Sequence, residues 1–471
     1  MPSLSRNSWS WVGVATGLIM LQWAASRVGA SLTEPLSFQP FDVLIFFACL
    51  LLAGFIYLLL PRLVSAADHR GWIMLLVLVT GLVLRIIAWS APPVLANDHS
   101  RYLWDGAVTA QGLNPYAYSP IEVVFGQVPD AYVALSSEIP REIADAIVSP
   151  HLRTAYPGIA QLSFAASYLV EPWSLEAWRL LAVVAELVAV FLLLVLLPRY
   201  GRSRLWVAIY WWNPLVVNEL CNSAHVDVLL VMFSLLTLLW LQRGRYVLAA
   251  GALCLAVGVK LWPLLALPLL LGRVRGRPLN LAACLLVAMG LLTLLAWPVL
   301  DAGMDLTSGF VAYGVFWQMN DGVFMVFNWL VERTADWLTD DYVETGLLSR
   351  LLAGVLAIGL VLRYGLEWTH RRADARDLLL VAVVVFMLSP MQFPWYYTWI
   401  VVFLPFVPSR ALLLLTPLMS FYYLRFYFEA TGDVLVYDHW LVWLQYLPVA
   451  GLAWWEWRSR QPVENASRER P

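Results

Sequence analysis

The stretch Trp72-Ile73-Met74-Leu75-Leu76-Val77-Leu78-Val79-Thr80-Gly81-Leu82-Val83-Leu84-Arg85-Ile86-Ile87-Ala88-Trp89 runs directly into Ser90-Ala91-Pro92-Pro93-Val94-Leu95-Ala96-Asn97-Asp98-His99-Ser100-Arg101-Tyr102-Leu103-Trp104-Asp105-Gly106. The first part is apolar over about the length that crosses hydrocarbon, roughly 20 residues. The second breaks at a proline pair and turns polar and acidic. An apolar span that opens onto a charged, aromatic loop is the pattern of a membrane protein with chemistry at its surface.

On either side of this stretch the same apolar signature recurs. Of 471 residues, 61% are hydrophobic and 13% charged, which is about half the charge of a soluble domain. That composition excludes disorder, collagen, a disulfide scaffold and an ordinary soluble enzyme. A net charge of -2 gives no reason to expect a nucleic-acid partner. Cys49, Cys221, Cys254 and Cys284 sit in or beside apolar runs, with no spacing typical of a metal site. The expected fold is an all-α polytopic membrane protein of about 12–14 transmembrane helices with a helical first outer loop. The region 246–272, interrupted by Pro263 and Pro268, reads as two short spans or a bent hairpin.

The arginines orient the chain. Arg62 and Arg70, then Arg199, Arg202 and Arg204, then Arg243 and Arg245 fall in alternate short loops. So do Arg273, Arg275 and Arg277, then Arg371, Arg372 and Arg376, then Arg410. By the positive-inside bias these loops face the cytoplasm, which places long loops 91–175 and 301–344 on the outer face. The apolar segment 157–170 cannot be a full span without inverting this bias, so it is expected to be interfacial or re-entrant. The chain divides into N-terminal spans 1–70, a core 71–300 carrying the first outer loop, and C-terminal spans 301–471 carrying the second.

Four polar groupings stand out. In the first loop, a helix over 99–110 pairs Arg101 with Asp105 four residues on and sets Asp98 at its start, where a carboxylate serves either as a cap or as a reactive group. Asn213, Pro214, Glu219, Asn222, His225 and Asp227 converge at one outer turn. His225 and Asp227, two apart, are weak as a metal motif. Lys260 is the sole lysine and stands on the outer side, where an ammonium suits a phosphate or snorkels at the interface. Arg85, Arg179, Glu186, Arg350 and Arg425 lie within spans, and are expected to face one another or a wet cationic cavity. Pro390-Met391-Gln392-Phe393-Pro394-Trp395-Tyr396-Tyr397 adds aromatic surface at the same level.

The run Asp98 to Gly106, followed by Gly112-Leu113-Asn114-Pro115-Tyr116, resembles the first outer loop of GT-C glycosyltransferases, in particular the bacterial mannosyltransferase-like branch. Tyr156-Pro157-Gly158 resembles that fold's Tyr-Pro-Pro segment, with Gly158 in place of the second proline. Asn213-Pro214-Leu215 through Glu219 to His225-Val226-Asp227, Lys260 before Trp262-Pro263, and Trp395-Tyr396 follow in order, so the resemblance covers about residues 71 to 410. It implies a glycosyltransferase of the bacterial inner membrane with its site facing the periplasm or exterior. The implied donor is a polyprenyl-phosphate sugar, with mannose the first expectation, and the acceptor a lipid, glycan or protein. By the resemblance Asp98 is the general base of an inverting transfer. Lys260, then Arg350 or Arg425, meets the leaving phosphate, and His225 contacts a phosphate or sugar oxygen. The substrate site is expected to include Arg101, Tyr102, Asp105, Asn114, Tyr156, Glu219, Asp227, Gln392, Trp395 and Tyr396. No cofactor is expected, although Asp98, His225 and Asp227 together are the candidates for a divalent metal. A flippase for a lipid-linked sugar, or an O-antigen ligase or polymerase, is the alternative reading.

Overall fold

The computed structural model describes residues 6–33, 39–66, 71–126, 128–339, 344–367 and 374–468. Arg70, Arg371 and Arg372 of the orienting clusters lie outside the described residues. The architecture is all-α and polytopic. Among the described residues the only β-pairing is a single bridge between Met319 and Met391.

Six helices among the described residues are long and apolar enough to cross a membrane: Pro40–Ser65, Gly71–Trp89, Leu175–Tyr200, Pro278–Ala302, Thr345–Tyr364 and Arg410–Thr431. A bent pair, Pro214–Asn222 with Asp227–Gln242, kinked by 116°, adds a seventh if it is one span. The 12–14 expected from sequence also counts apolar stretches that fold as shorter or broken helices, and the cause of each break is local. Pro214 restarts the chain behind Asn213, whose side-chain oxygen accepts from the amides of Leu215 and Val216 at 3.0 and 3.2 Å. Pro263 opens a short 3₁₀ turn, Trp262–Ala266, after helix Tyr246–Val257, so 246–272 is built of short pieces. Helix Gly158–Val170 has 13 residues, about 20 Å, too short for a complete crossing.

One hydrophobic core runs from Trp11 to Val449 and joins helices from both ends of the chain. Pro40–Tyr57 packs on Arg6–Gly29 and also on Leu424–Thr431, so elements from the two ends of the chain interleave. Leu175–Leu196, Asp227–Gln242, Tyr246–Val257 and Pro278–Ala302 pack in succession. A second, smaller core belongs to the first outer loop, where Trp104, Val108, Val123, Tyr132 and Tyr168 meet. Its axis is the helix Asp98–Ala110, laid against Gly158–Val170. Gly106 makes that approach feasible, because a Cβ there would stand 2.6 Å from the Phe164 carbonyl oxygen.

Candidate active site

The two helices of the loop hold the site from one side. In Asp98–Ala110, Arg101 pairs with Asp105 at 2.9 Å and donates to the Leu152 carbonyl at 2.8 Å. Asp105 accepts in addition from Thr154 at 2.5 Å and from Gln161 at 3.2 Å. This clamp ties the loop helix to the segment leading into Tyr156-Pro157. Tyr102 stacks on Phe164 at 4.5 Å and meets Tyr156 edge-on at 5.1 Å. The free amides at the start of helix Gly158–Val170 are satisfied from elsewhere: Ile159 and Ala160 donate to the Gly258 carbonyl at 2.8 and 3.1 Å. Gly258 lies two residues before Lys260, so the first loop and the lysine turn are locked together.

The other side comes from the bent pair. The backbone passes through a π turn, Val217–Asn222, and reverses through Ala224 at φ 51° before the next helix begins at Asp227. Single π turns recur at functional sites because they displace a side chain from its helical register. Asn222 anchors the reversal by accepting from the Val94 amide at 3.0 Å and donating to the Ala88, Ala91 and Pro92 carbonyls. Arg179 donates to the carbonyls of Ala91 and Asn222.

These elements enclose a cavity of about 1010 Å³. Of the residues expected from sequence, Asp98, Arg101, Tyr156, His225, Lys260, Arg350, Trp395, Tyr396 and Arg425 line it. Asp98, the first residue of its helix, has a side chain 27% exposed. Its Oδ2 lies 3.5 Å from His225 Nδ1 and accepts from the Tyr156 hydroxyl at 3.3 Å. His225 is buried, stacked on Trp395 at 4.1 Å, with Nε2 3.4 Å from Glu219. Burial opposes the charge of both groups, and their mutual contact restores it. The Asp98 carboxyl is pushed up by its recessed position, but His225, Lys260 and Tyr156 together hold it below its ordinary value. Burial lowers the His225 imidazole, yet Asp98 and Glu219 raise it to about 9. At neutral pH the pair is therefore carboxylate and imidazolium. His99, beside Asp98, is driven down to about 4 by burial and by Arg179, and stays neutral.

Lys260 faces the cavity between the rings of Tyr156 and Tyr396, 5.2 and 5.0 Å from their centroids. Behind it Asp227 lies 3.8 Å away, its other oxygen accepting from Trp399 at 2.6 Å. Arg350 donates to the Val315 and Trp317 carbonyls at 3.0 Å each, and its third nitrogen is buried without a partner. Arg425 is shared between Glu429 at 3.1 Å and Asp438 at 3.3 Å.

The remaining expected residues stand behind the lining. Tyr102 and Asp105 serve the loop clamp described above. Asn114 donates to the Pro298 carbonyl at 2.9 Å and accepts from the Tyr116 amide, a packing role. Gln392 donates to the Met387 and Ser389 carbonyls. Glu219 and Asp227 back His225 and Lys260 without lining the cavity. Arg85 and Glu186 are paired at 2.5 Å and Arg179 donates to the Ala91 and Asn222 carbonyls, and none of these three lines the cavity. The sequence patterns do not single out Arg153, Gln318, Tyr313 or Tyr422, all on the cavity wall. Arg153 pairs with Asp305 of the second outer loop at 2.7 Å, a contact between loops 152 residues apart that no local pattern signals. Among the described residues no group of three or more His, Cys, Asp or Glu side chains is arranged to hold a metal ion.

Residues 10–275, more than half of the chain, match the family described as alpha-(1->6)-mannopyranosyltransferase, N-terminal domain. The chain belongs to this family. Alpha-(1->6)-mannopyranosyltransferase A of Mycobacterium tuberculosis is 24% identical over 353 residues, covering 66% of this chain and 62% of that protein. This chain therefore aligns with somewhat under two thirds of the relative's length. No solved structure matches. The mannopyranosyltransferase family region contains Asp98, Tyr156, His225 and Lys260, whereas Arg350, Trp395 and Arg425 fall beyond it. The acid, histidine and lysine of the site thus belong to the family's N-terminal domain, and the second half of the chain completes the cavity.

Proposed function

We propose that the chain is a multi-pass mannosyltransferase of GT-C type in the bacterial inner membrane, with its cavity facing the periplasm or exterior. It moves a mannosyl group from a polyprenyl phosphate to a hydroxyl of a lipid, glycan or protein acceptor. The observation that carries this reading is Asp98 on the cavity wall, ionised by its contact with His225, in the same cavity as the only lysine of the chain.

The chemistry follows from those positions. His225 and Tyr156 both address Oδ2 of Asp98, which leaves Oδ1 for the acceptor's proton. As the acceptor oxygen attacks the anomeric carbon, its O–H bond breaks toward Asp98. The bond from the anomeric carbon to the phosphate oxygen breaks on the opposite face, so the centre inverts. An α-linked product, as in the family's description, then requires a β-linked donor. The departing lipid phosphate gains negative charge, and fixed cations aimed at that charge lower the barrier. Lys260 is the first such cation, because its ammonium faces the cavity between two rings and its carboxylate partner stands back at 3.8 Å. Arg350, with one nitrogen unpartnered, and Arg425 are the next.

The test uses purified full-length protein, short-chain polyprenyl-phosphate sugars, and lipid and oligosaccharide acceptors. Wild type is expected to transfer mannose with inversion. Asp98→Asn, nearly unchanged in volume, is expected to lose about 10²–10⁴ in rate while still binding donor. A variant that transfers at the wild-type rate, or a product of retained configuration, overturns the assignment. Movement of donor across proteoliposomes without transfer by either protein points to a flippase instead.

A further inference from the structure

Glu219 takes no direct part in the reaction just described. It is 1% exposed and does not line the cavity. A carboxylate placed so deep is costly unless its neighbours hold its charge. Three do. The Tyr423 hydroxyl donates to Oε1, the Asn218 amide donates to the same oxygen at 3.0 Å, and His225 Nε2 stands 3.4 Å from Oε2. The backbone adds a fourth tie, with the His225 amide donating to the Glu219 carbonyl at 3.0 Å. His225 then reaches forward to Asp98 through its other nitrogen. A carboxylate, an imidazole and a second carboxylate form a line from the protein interior to the cavity wall.

We propose that Glu219 is a positioning residue for glycosyl transfer: through Nε2 it holds His225 as an oriented imidazolium, and His225 in turn presents Asp98 ionised to the acceptor. This rests on the function proposed above. The geometry favours it over simple packing. His225 is sandwiched edge-on between two carboxylates and stacked face-on against Trp395, an arrangement that suits a cation. The Glu219 side chain is itself fixed by Tyr423 and Asn218, and Tyr423 is wedged against Phe46 at 5.1 Å. The charged and titratable groups around the line are few. Asp98 and neutral His99 come from the first-loop helix, and Tyr156 from the segment before Gly158–Val170. Asp227 follows in the same turn and is answered by Lys260. Tyr422 and Tyr423 close the line from the C-terminal half, and Arg425 stands beyond Tyr422. Lys260 also acts on Asp98. Of these, only Asp98 and Glu219 oppose the imidazolium at contact distance.

The test replaces the charge and keeps the shape. In Glu219→Gln the amide oxygen still accepts from Tyr423 and Asn218, but the carboxylate facing Nε2 is gone. Two readouts are taken on the full chain. The first is the pH profile of transfer. Its alkaline limb, set by His225, is expected to move down by about 1–3 units in the variant. Glu219→Asp, which keeps the charge, is expected to return it toward wild type. The second needs no activity: titration of ¹⁵N-histidine signals, with His225 identified by its loss in His225→Asn, is expected to show the same downward shift. A uniformly slower Glu219→Gln enzyme with an unmoved profile and an unmoved His225 titration overturns the inference and leaves the residue a packing group. Wild type that transfers from no donor overturns the activity itself, and the inference with it. Wild type that transfers and needs Asp98, with an unmoved profile in the glutamine variant, overturns only the role of Glu219.

Discussion

Two of the buried ionic arrangements among the described residues are built differently. Arg85 and Glu186 face each other across helices Gly71–Trp89 and Leu175–Leu196, with two contacts at 2.5 and 3.2 Å. Arg85 also donates to the carbonyls of Gly81 and Trp211 and lies 3.6 Å over the Trp211 ring. Every face of that guanidinium is used and none opens on the cavity. Asp98, His225 and Glu219 are spaced at 3.5 and 3.4 Å, and one end of the line is open to the cavity. The closed pair holds helices together. In the proposed function, the open line keeps a carboxylate charged where a substrate can reach it. Burial and charge alone do not separate the closed pair from the line proposed to react; the open end on the cavity does.

Disabling each arrangement in turn puts this contrast at risk. Asp98→Asn is expected to cost about 10²–10⁴ in transfer rate, with thermal unfolding in detergent close to wild type, because the residue lies on the cavity wall and the change keeps its volume. Glu186→Gln is expected to do the reverse. It leaves Arg85 buried without its counter-charge, at a cost of about 3–5 kcal/mol, seen as a lower unfolding temperature and poor recovery after extraction. Whatever protein folds is expected to transfer at an undiminished rate per molecule. If Glu186→Gln instead unfolds normally and fails to transfer, the two arrangements are not distinct in kind.

Lys260→Met tests the phosphate end. Loss of one fixed charge at the developing anion is expected to lower the rate by about 10²–10³. An unchanged rate transfers that role to Arg350. The pH profile comes next in size. As the proposed base, Asp98 must be ionised to take a proton, and its range lies below the ordinary carboxylate value, so activity is expected to fall only as pH drops through that lowered range. His225 loses its charge as pH rises through about 9, and activity falls again there. A flat plateau between these limits is expected; a limb near pH 6.5, the ordinary histidine value, would mean an imidazole free of its carboxylates. The smallest effect is expected from Asn114→Ala. It removes a hydrogen bond to the Pro298 carbonyl, worth about 1 kcal/mol, and leaves transfer intact.

Much of the site is legible in the order of residues. Asp98 at a helix start, Arg101 paired with Asp105, and a polar turn at Glu219, His225 and Asp227 all follow from local spacing. What spacing does not reveal is which of these groups touch the cavity. Asp105 and Asn114 are as polar and as close to the motif as Asp98, yet each is consumed by backbone or side-chain partners from far along the chain. Arg85 and Arg350 are equivalent in sequence, both arginines in apolar spans, but only Arg85 has a glutamate directly across from it and only Arg350 reaches the cavity. Arg153 carries no local signal at all. Span counting meets a related limit. Apolarity marks burial, and proline-broken segments such as 246–272 are as apolar as helices long enough to cross the bilayer.

Read alone, the order of residues dictates the solvent and the alphabet of this protein: helices in an apolar medium, one polar loop helix, and a short set of acids, a histidine and a lysine. Those properties reside in composition and in neighbours three or four residues away. Which charges are neutralised by remote partners and which are left open is settled by packing. That choice depends on contacts across 100 or more positions, such as Arg85 with Glu186 and Asp98 with His225. It is made by how the helices meet, and no local window of sequence contains it.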